Sequence, residues 1–180
     1  MTDRGIRRGK IALLSAVGLL LLGFTWLPAA IHAAAPAAAL SFDAGSAAPR
    51  KVEDATALAI QRDYGHAWKS LISALEDNRA DLLNENFTGG ARQQWQDTIH
   101  DQRQDGLSRH IVDHGHTLRV TFYSLDGSAL EASDTADLEI QYREGSNVLS
   151  TERIQAHYFV LLTPAENSWK IRIFQEVPAS

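Results

Sequence analysis

The residues of this chain best suited to chemistry lie between positions 110 and 116, where three histidines surround an aspartate. These are His110, His114, His116 and Asp113, and His157 occupies a later segment that is predicted to be a neighbouring strand. Neutral imidazoles and a carboxylate are ligands that zinc and other divalent cations accept. The four residues follow no fixed metal-ligand spacing, however, and they straddle a predicted change from helix to strand. We therefore predict no metal site and no cofactor.

Proton transfer is a second chemical possibility for the same region. Asp113 or His116 could act as a base, with Tyr64, Tyr142 or Tyr158 as the proton donor, as general acid–base catalysis requires. The strand face that would carry these residues is otherwise apolar. A tyrosine in such surroundings is more often a core residue whose hydroxyl reaches a partner at the rim. The sequence therefore predicts no catalytic residue.

Two helices are predicted to position these side chains from one side. The first starts near Val52, and its apolar residues from Ile60 to Leu75 recur at steps of three and four, which gives a continuous buried stripe. The second carries Ala91, Trp95 and Ile99 at steps of four and ends near Gly106.

Four strands are predicted after the helices, because from about Ile111 the apolar residues alternate with polar ones. The turns between the strands, such as Asp126-Gly127, are too short to allow a parallel return. The predicted class is therefore α+β, with N-terminal helices packed on a four-stranded antiparallel sheet.

The N-terminus carries a targeting pattern. Positive residues (Arg4, Arg7, Arg8 and Lys10) precede an uncharged apolar run over residues 11–31. This predicts a signal anchor or signal peptide over residues 1–32, with residues 11–31 in the membrane. Residues 33–50, rich in Ala and Pro, are predicted to be a linker, and residues 51–180 the domain. The domain is expected outside the cytoplasm, either membrane-anchored (periplasmic or at the cell surface) or secreted if the signal is cleaved.

Charge and cysteine content exclude several classes of protein. Residues 50–180 hold 13 Lys and Arg against 20 Asp and Glu, a net charge of −7, which argues against a nucleic-acid partner. The chain has no cysteine, so disulfides, thiol nucleophiles and thiolate metal sites are excluded.

Three features resemble the NTF2-like superfamily, also called SnoaL-like or ketosteroid-isomerase-like. They are Trp68 in the first helix, the passage from residues 74–78 to Phe87-Thr88-Gly89, and the last hairpin over residues 166–173. The resemblance implies that the sheet curves into a cone. It further implies a cavity suited to a small apolar ligand, lined by Tyr64, Trp68, His116, Tyr142 and Tyr158.

The opposite face of the sheet is predicted to be an interface. Tyr123, Phe159 and Phe174 are expected there among arginines, a composition that is enriched at the centres of protein interfaces. A homodimer or a membrane-protein partner is expected on this face. The predicted function is a noncatalytic extracytoplasmic domain for protein interaction or self-association at the membrane. The alternative is a small-molecule-binding domain, or a weak hydrolase or isomerase that uses the cone cavity.

Overall fold

Two helices and a six-stranded sheet make up residues 39–178, which are the residues that the computed structural model describes. The helices are α1 (Asp54–Asp77) and α2 (Gly89–Gln104), with a short 3-10 turn (Ala80–Leu83) between them. The strands are β1 (Leu40–Asp43), β2 (Ala48–Pro49), β3 (Leu107–Tyr123), β4 (Leu130–Glu144), β5 (Asn147–Pro164) and β6 (Trp169–Glu176). The predicted α+β class is confirmed.

The sheet is mixed rather than purely antiparallel. Strands β3 to β6 form the predicted antiparallel meander. Both β1 and β2 pair with β3 in parallel, and they extend the sheet to six strands. The predicted linker over residues 33–50 is therefore wrong for residues 40–43 and 48–49. Leu40 and Phe42 pack against the core, but two strands this short leave too little alternation to recognise in the sequence.

The core lies between α1 and the inner face of the sheet. The predicted stripe on α1 is buried from Ile60 to Leu75, and it meets inward residues such as Leu118, Leu138 and Ile171. Asn78 ends α1 in the left-handed conformation, at φ 54°. Its side-chain amide donates to Leu107 O at 2.8 Å, so the end of the helix is tied to the start of β3.

A bulge in β3 reverses the predicted direction of its last side chains. Val120 pairs with Ala132 but Phe122 pairs with Glu131, which leaves Thr121 without an opposite residue. Because one extra residue shifts the alternation, Tyr123 turns into the core and is 3% exposed. The prediction that Tyr123 lies on the outer face is wrong.

A second bulge has the same effect in β6. Leu162 pairs with Ile171 and Leu161 pairs with Ile173, so Arg172 is the extra residue. Phe174 consequently turns inward and is 1% exposed, whereas Ile173 faces outward and is 38% exposed. The prediction that Phe174 lies on the outer face is also wrong.

Within residues 39–178, neither helix has both the length and the apolar character needed to cross a bilayer. The predicted membrane segment, residues 11–31, lies outside the described residues.

Candidate functional site

The candidate site is built around an irregularity in the middle of β3. Asp113 pairs with Leu138 and Gly115 pairs with Asp137, so His114 is an extra, bulged residue. Gly115 adopts φ 144°. An added Cβ would lie 3.1 Å from the carbonyl oxygen of Ala39, directly before β1. Asp113 and His116 would face opposite sides of a regular strand. The bulge places both on the inner face.

His116 is held between two carboxylates. Its Nδ1 lies 2.9 Å from Asp134 Oδ2. Its Nε2 lies 3.0 Å from Asp113 Oδ2. The Tyr64 hydroxyl also donates to Asp134 Oδ2, at 2.7 Å. These four residues form a hydrogen-bonded chain from α1 to β4 to β3, which we call the buried network.

The two carboxylates favour a charged imidazole. Burial by itself would lower the pKa of His116, but the hydrogen bonds and negative charges of Asp134 and Asp113 outweigh it and raise the pKa to about 9. Burial, with the adjacent Asp134 carboxylate, raises the pKa of the Tyr64 hydroxyl well above its usual value. At neutral pH the imidazole of His116 is therefore protonated and the Tyr64 hydroxyl is neutral.

Aromatic rings close the inner side of the network. The Trp68 ring lies 4.4 Å from the His116 ring, centre to centre, and tilts 41° to it. Tyr158 and Phe174 stack at 4.4 Å beside Trp68. Because these rings fill the space between α1 and the sheet, His116 is only 6% exposed.

The structure brings together four of the five residues predicted to line the cavity. Tyr64, Trp68, His116 and Tyr158 meet in this cluster, but as mutually packed side chains rather than as the walls of an open space. Asp134 was missed in the sequence. It occupies an inward position of β4 between Ala132 and Ala136, so an extension of the alternation pattern upstream of Leu138 would have found it.

Tyr142 lies apart from this cluster, near the end of β4. Its hydroxyl donates to Glu152 Oε1 at 2.8 Å. The guanidinium of Arg109 lies 5.7 Å from the centre of its ring. Tyr142 and Arg109 line an open cleft of about 280 Å³ together with Gln102 and other residues at the end of α2.

The other histidines of the predicted cluster diverge. His110 contacts Glu76 on α1, with Nδ1 and Oε1 2.6 Å apart. His157 lies 3.2 Å from the Thr135 hydroxyl, and His114 is exposed. In the part of the chain that the structure describes, no group of three or more His, Asp or Glu side chains is arranged to hold a metal ion.

The outer face of the sheet, opposite the helices, carries an apolar patch. Phe122, Leu161 and Ile173 lie in register across β3, β5 and β6, with Glu131 of β4 between Phe122 and Leu161. Phe159 precedes Leu161 by two residues on β5 and faces the same side. We call Phe122, Phe159, Leu161 and Ile173 the outer patch. Of the three predicted interface residues, only Phe159 lies in it.

One ion pair lies beside the outer patch. Arg119 is two strands across from Phe159, and its Nε is 3.2 Å from Asp43 Oδ2. A second pair, Arg153 Nη2 and Asp137 Oδ2 at 2.8 Å, lies further along β4 and β5. An apolar centre with a charged surround is the usual composition of a protein interface.

Comparison with known proteins shows the fold. No protein-family model matches the sequence, and no curated protein matches it. The structure is similar to the intermembrane space region of the chloroplast protein ARC6, with a TM-score of 0.61 and 18% identity over 72% of this chain and 100% of that chain.

Two further solved structures match more distantly. A putative scytalone dehydratase from Novosphingobium aromaticivorans has a TM-score of 0.46 and 13% identity over 70% of this chain and 89% of its own. A type 2 hexachlorocyclohexane dehydrochlorinase (LinA) has a TM-score of 0.46 and 11% identity over 71% of this chain and 95% of its own. The similarity to the ARC6 region shows that this chain shares the fold of that region. At these identities the likeness concerns the fold alone.

Proposed function

We propose that this chain is a noncatalytic domain, tethered outside the cytoplasm by its N-terminal segment, that binds a protein partner or a second copy of itself through the outer patch. The observation that carries the proposal is the outer patch, in which Leu161 and Ile173 lie in register on β5 and β6 with Phe159 beside them. Phe122 lies on the far side of Glu131, on β3. Aromatic and aliphatic side chains at the centre of a surface, surrounded by charges, are the residues that contribute most to protein binding.

The buried network supports a noncatalytic role. A general base must present a free nitrogen or oxygen to its substrate, within hydrogen-bond reach. Both nitrogens of His116 are occupied by carboxylates, and Trp68 covers the ring. With a pKa of about 9, the imidazole is already protonated at neutral pH and cannot accept another proton. The arrangement suits a structural ion cluster better than proton abstraction.

The burial of the same residues also weighs against the small-ligand alternative. Tyr64, Trp68, His116 and Tyr158 are 0%, 4%, 6% and 7% exposed, respectively. A ligand in the cone would have to displace rings that contact one another at 4.4 to 6.2 Å between centres. The outer patch, in contrast, is available without rearrangement of the core.

Photo-crosslinking in the producing cell tests the proposal. A photoreactive phenylalanine at position 159 is expected to form a crosslinked product, either with a second copy of this chain or with another membrane or periplasmic protein. The matched control carries the photoreactive phenylalanine at position 125 instead. Leu125 is 75% exposed, lies on the turn between β3 and β4, and is outside the outer patch.

A variant then tests whether the contact depends on the patch. Phe159→Asp places a charge where apolar contact is expected, so we expect it to abolish the product from a photoreactive residue at position 173. Leu125→Asp should leave that product unchanged. Equal crosslinking from positions 159 and 125, or none from either, would refute the proposed interface.

A further inference from the structure

The hairpin between β4 and β5 ends in an unusual tip. Residues 145–151 carry no charged side chain, although Glu144 and Glu152 flank them directly. Val148 and Leu149 are 52% and 56% exposed within this segment. Leu149 is also the extra residue of a bulge, because Tyr142 pairs with Ser150 and Arg143 pairs with Val148. An exposed apolar pair on an uncharged tip is a candidate contact site.

The tip points toward the end of the sheet from which the chain enters the domain. Glu144, at the base of the tip, pairs with Leu107, the first residue of β3. Strand β1 runs parallel to β3 and begins opposite His116. The chain therefore enters β1, at Ala39, from the side of the sheet on which Leu107 and the tip lie.

Two lengths agree. Nine residue steps of β3 separate Leu107 from His116, which at about 3.3 Å per residue amount to about 30 Å along the sheet. Nine residue steps also separate Leu40 from Ile31, the last residue of the predicted membrane segment, and an extended chain of that length spans at most about 32 Å. At full extension the tether is therefore about as long as the stretch of β3 between Leu107 and His116.

We propose that the tip of the β4–β5 hairpin rests in the headgroup region of the bilayer, with Val148 and Leu149 facing the acyl chains. The inference rests on the membrane tethering in the proposed function. A tether this short keeps the tip within reach of the surface, and an uncharged segment loses less hydration energy than a charged one when it enters the interface.

Fluorescence quenching in reconstituted membranes tests this contact. The chain has no cysteine, so single cysteines can carry an environment-sensitive dye at chosen positions. The full chain, in phosphatidylcholine–phosphatidylglycerol vesicles, is labelled after Leu149→Cys, after Leu125→Cys, or after Ala33→Cys. Lipids with a quencher near the headgroup report proximity to the surface. We expect strong quenching at positions 33 and 149 and none at position 125, which lies at the opposite end of β3 and β4.

The three positions separate the possible failures. Quenching at position 33 but not at 149 would overturn the tip contact and leave the tether and the interface proposal standing. Absence of quenching at position 33 would refute the tether and the tip contact together. Equal quenching at 149 and 125 would show that the domain has no preferred end at the membrane, which also overturns the proposal.

A second variant checks that the apolar side chains cause the contact. Val148→Ser together with Ala33→Cys should leave the quenching at position 33 unchanged. Val148→Ser together with Leu149→Cys should reduce the quenching at position 149 several-fold. An unchanged signal at position 149 would mean that side-chain insertion does not hold the tip.

Discussion

At the scale of single residues, Asp134 is the key member of the buried network. It is 1% exposed and accepts hydrogen bonds from Tyr64 and His116 on one oxygen. The sequence indicated that His116 and Tyr64 are inward, but it could not show that a one-residue bulge at His114 brings Asp113 to the same face. Bulges depend on pairing with another strand, which no local pattern records.

Asp134→Asn should destabilise the fold. The substitution keeps the shape of the side chain but removes one of the two charges that compensate the buried imidazolium, and breaking a buried ion pair from one side costs about 3 kcal/mol or more. The free energy of unfolding, measured by urea denaturation, should fall by about that amount. Asp137→Asn on the same strand, where the carboxylate pairs with Arg153 in solvent, should have little effect. Equal stability of the two variants would contradict this account of the network.

Because of His116, the free energy of unfolding should decrease at alkaline pH. Its pKa is about 9 when folded, against an ordinary value of 6.5, so between these values the folded state binds a proton that the unfolded state lacks. The stabilisation is complete below about pH 6.5 and is lost as the pH rises through 9, by up to about 3 kcal/mol. Urea unfolding from pH 6 to pH 10 should show this decline. His116→Gln should flatten it, and a decline that persists in that variant would assign it to other groups.

At the scale of elements, the helices were largely predictable and the strand faces were not. The α1 stripe and the end of α2 near Gly106 follow from spacing alone. The outward assignments of Tyr123 and Phe174 failed because Thr121 and Arg172 are bulged residues that invert the alternation beyond them. The short strands β1 and β2 were missed for a different reason. Their pairing with β3 decides their structure, and a segment rich in Ala, Ser and Gly has no periodicity of its own.

Removal of β1 and β2 should weaken the domain. A chain that begins at Lys51 loses the contacts of Leu40 and Phe42 with the core and exposes the edge of β3. Partial burial of two large apolar side chains contributes about 3 kcal/mol, so a comparable fall in unfolding free energy is expected. A chain that begins at Ala39 is the control and should retain that stability. If both chains unfold at the same urea concentration, β1 and β2 are not part of the cooperative unit.

At the scale of the whole molecule, the fold leaves the function open, as a fold usually does. Amino-acid composition alone argues against a nucleic-acid binder and excludes disulfides. The choice between a ligand-filled cone and a packed one depends on three-dimensional packing, because His116 and its neighbouring tyrosines have the same sequence pattern in either case. The aromatic rings contact one another and leave no open space for a ligand between them. This packing, rather than the identity of the residues, favours an interaction surface over a ligand site.

The parallel pairing of β1 with β3 has a mechanical consequence. Tension applied through residue 39 acts along the strand, so the hydrogen bonds that join residues 40–43 to β3 are loaded together in shear instead of peeling apart one after another. The backbone bond from His116 N to Ala39 O, 2.9 Å long, is the first to bear that load. A domain that is pulled at this end can therefore transmit force into the middle of its sheet before it begins to unfold.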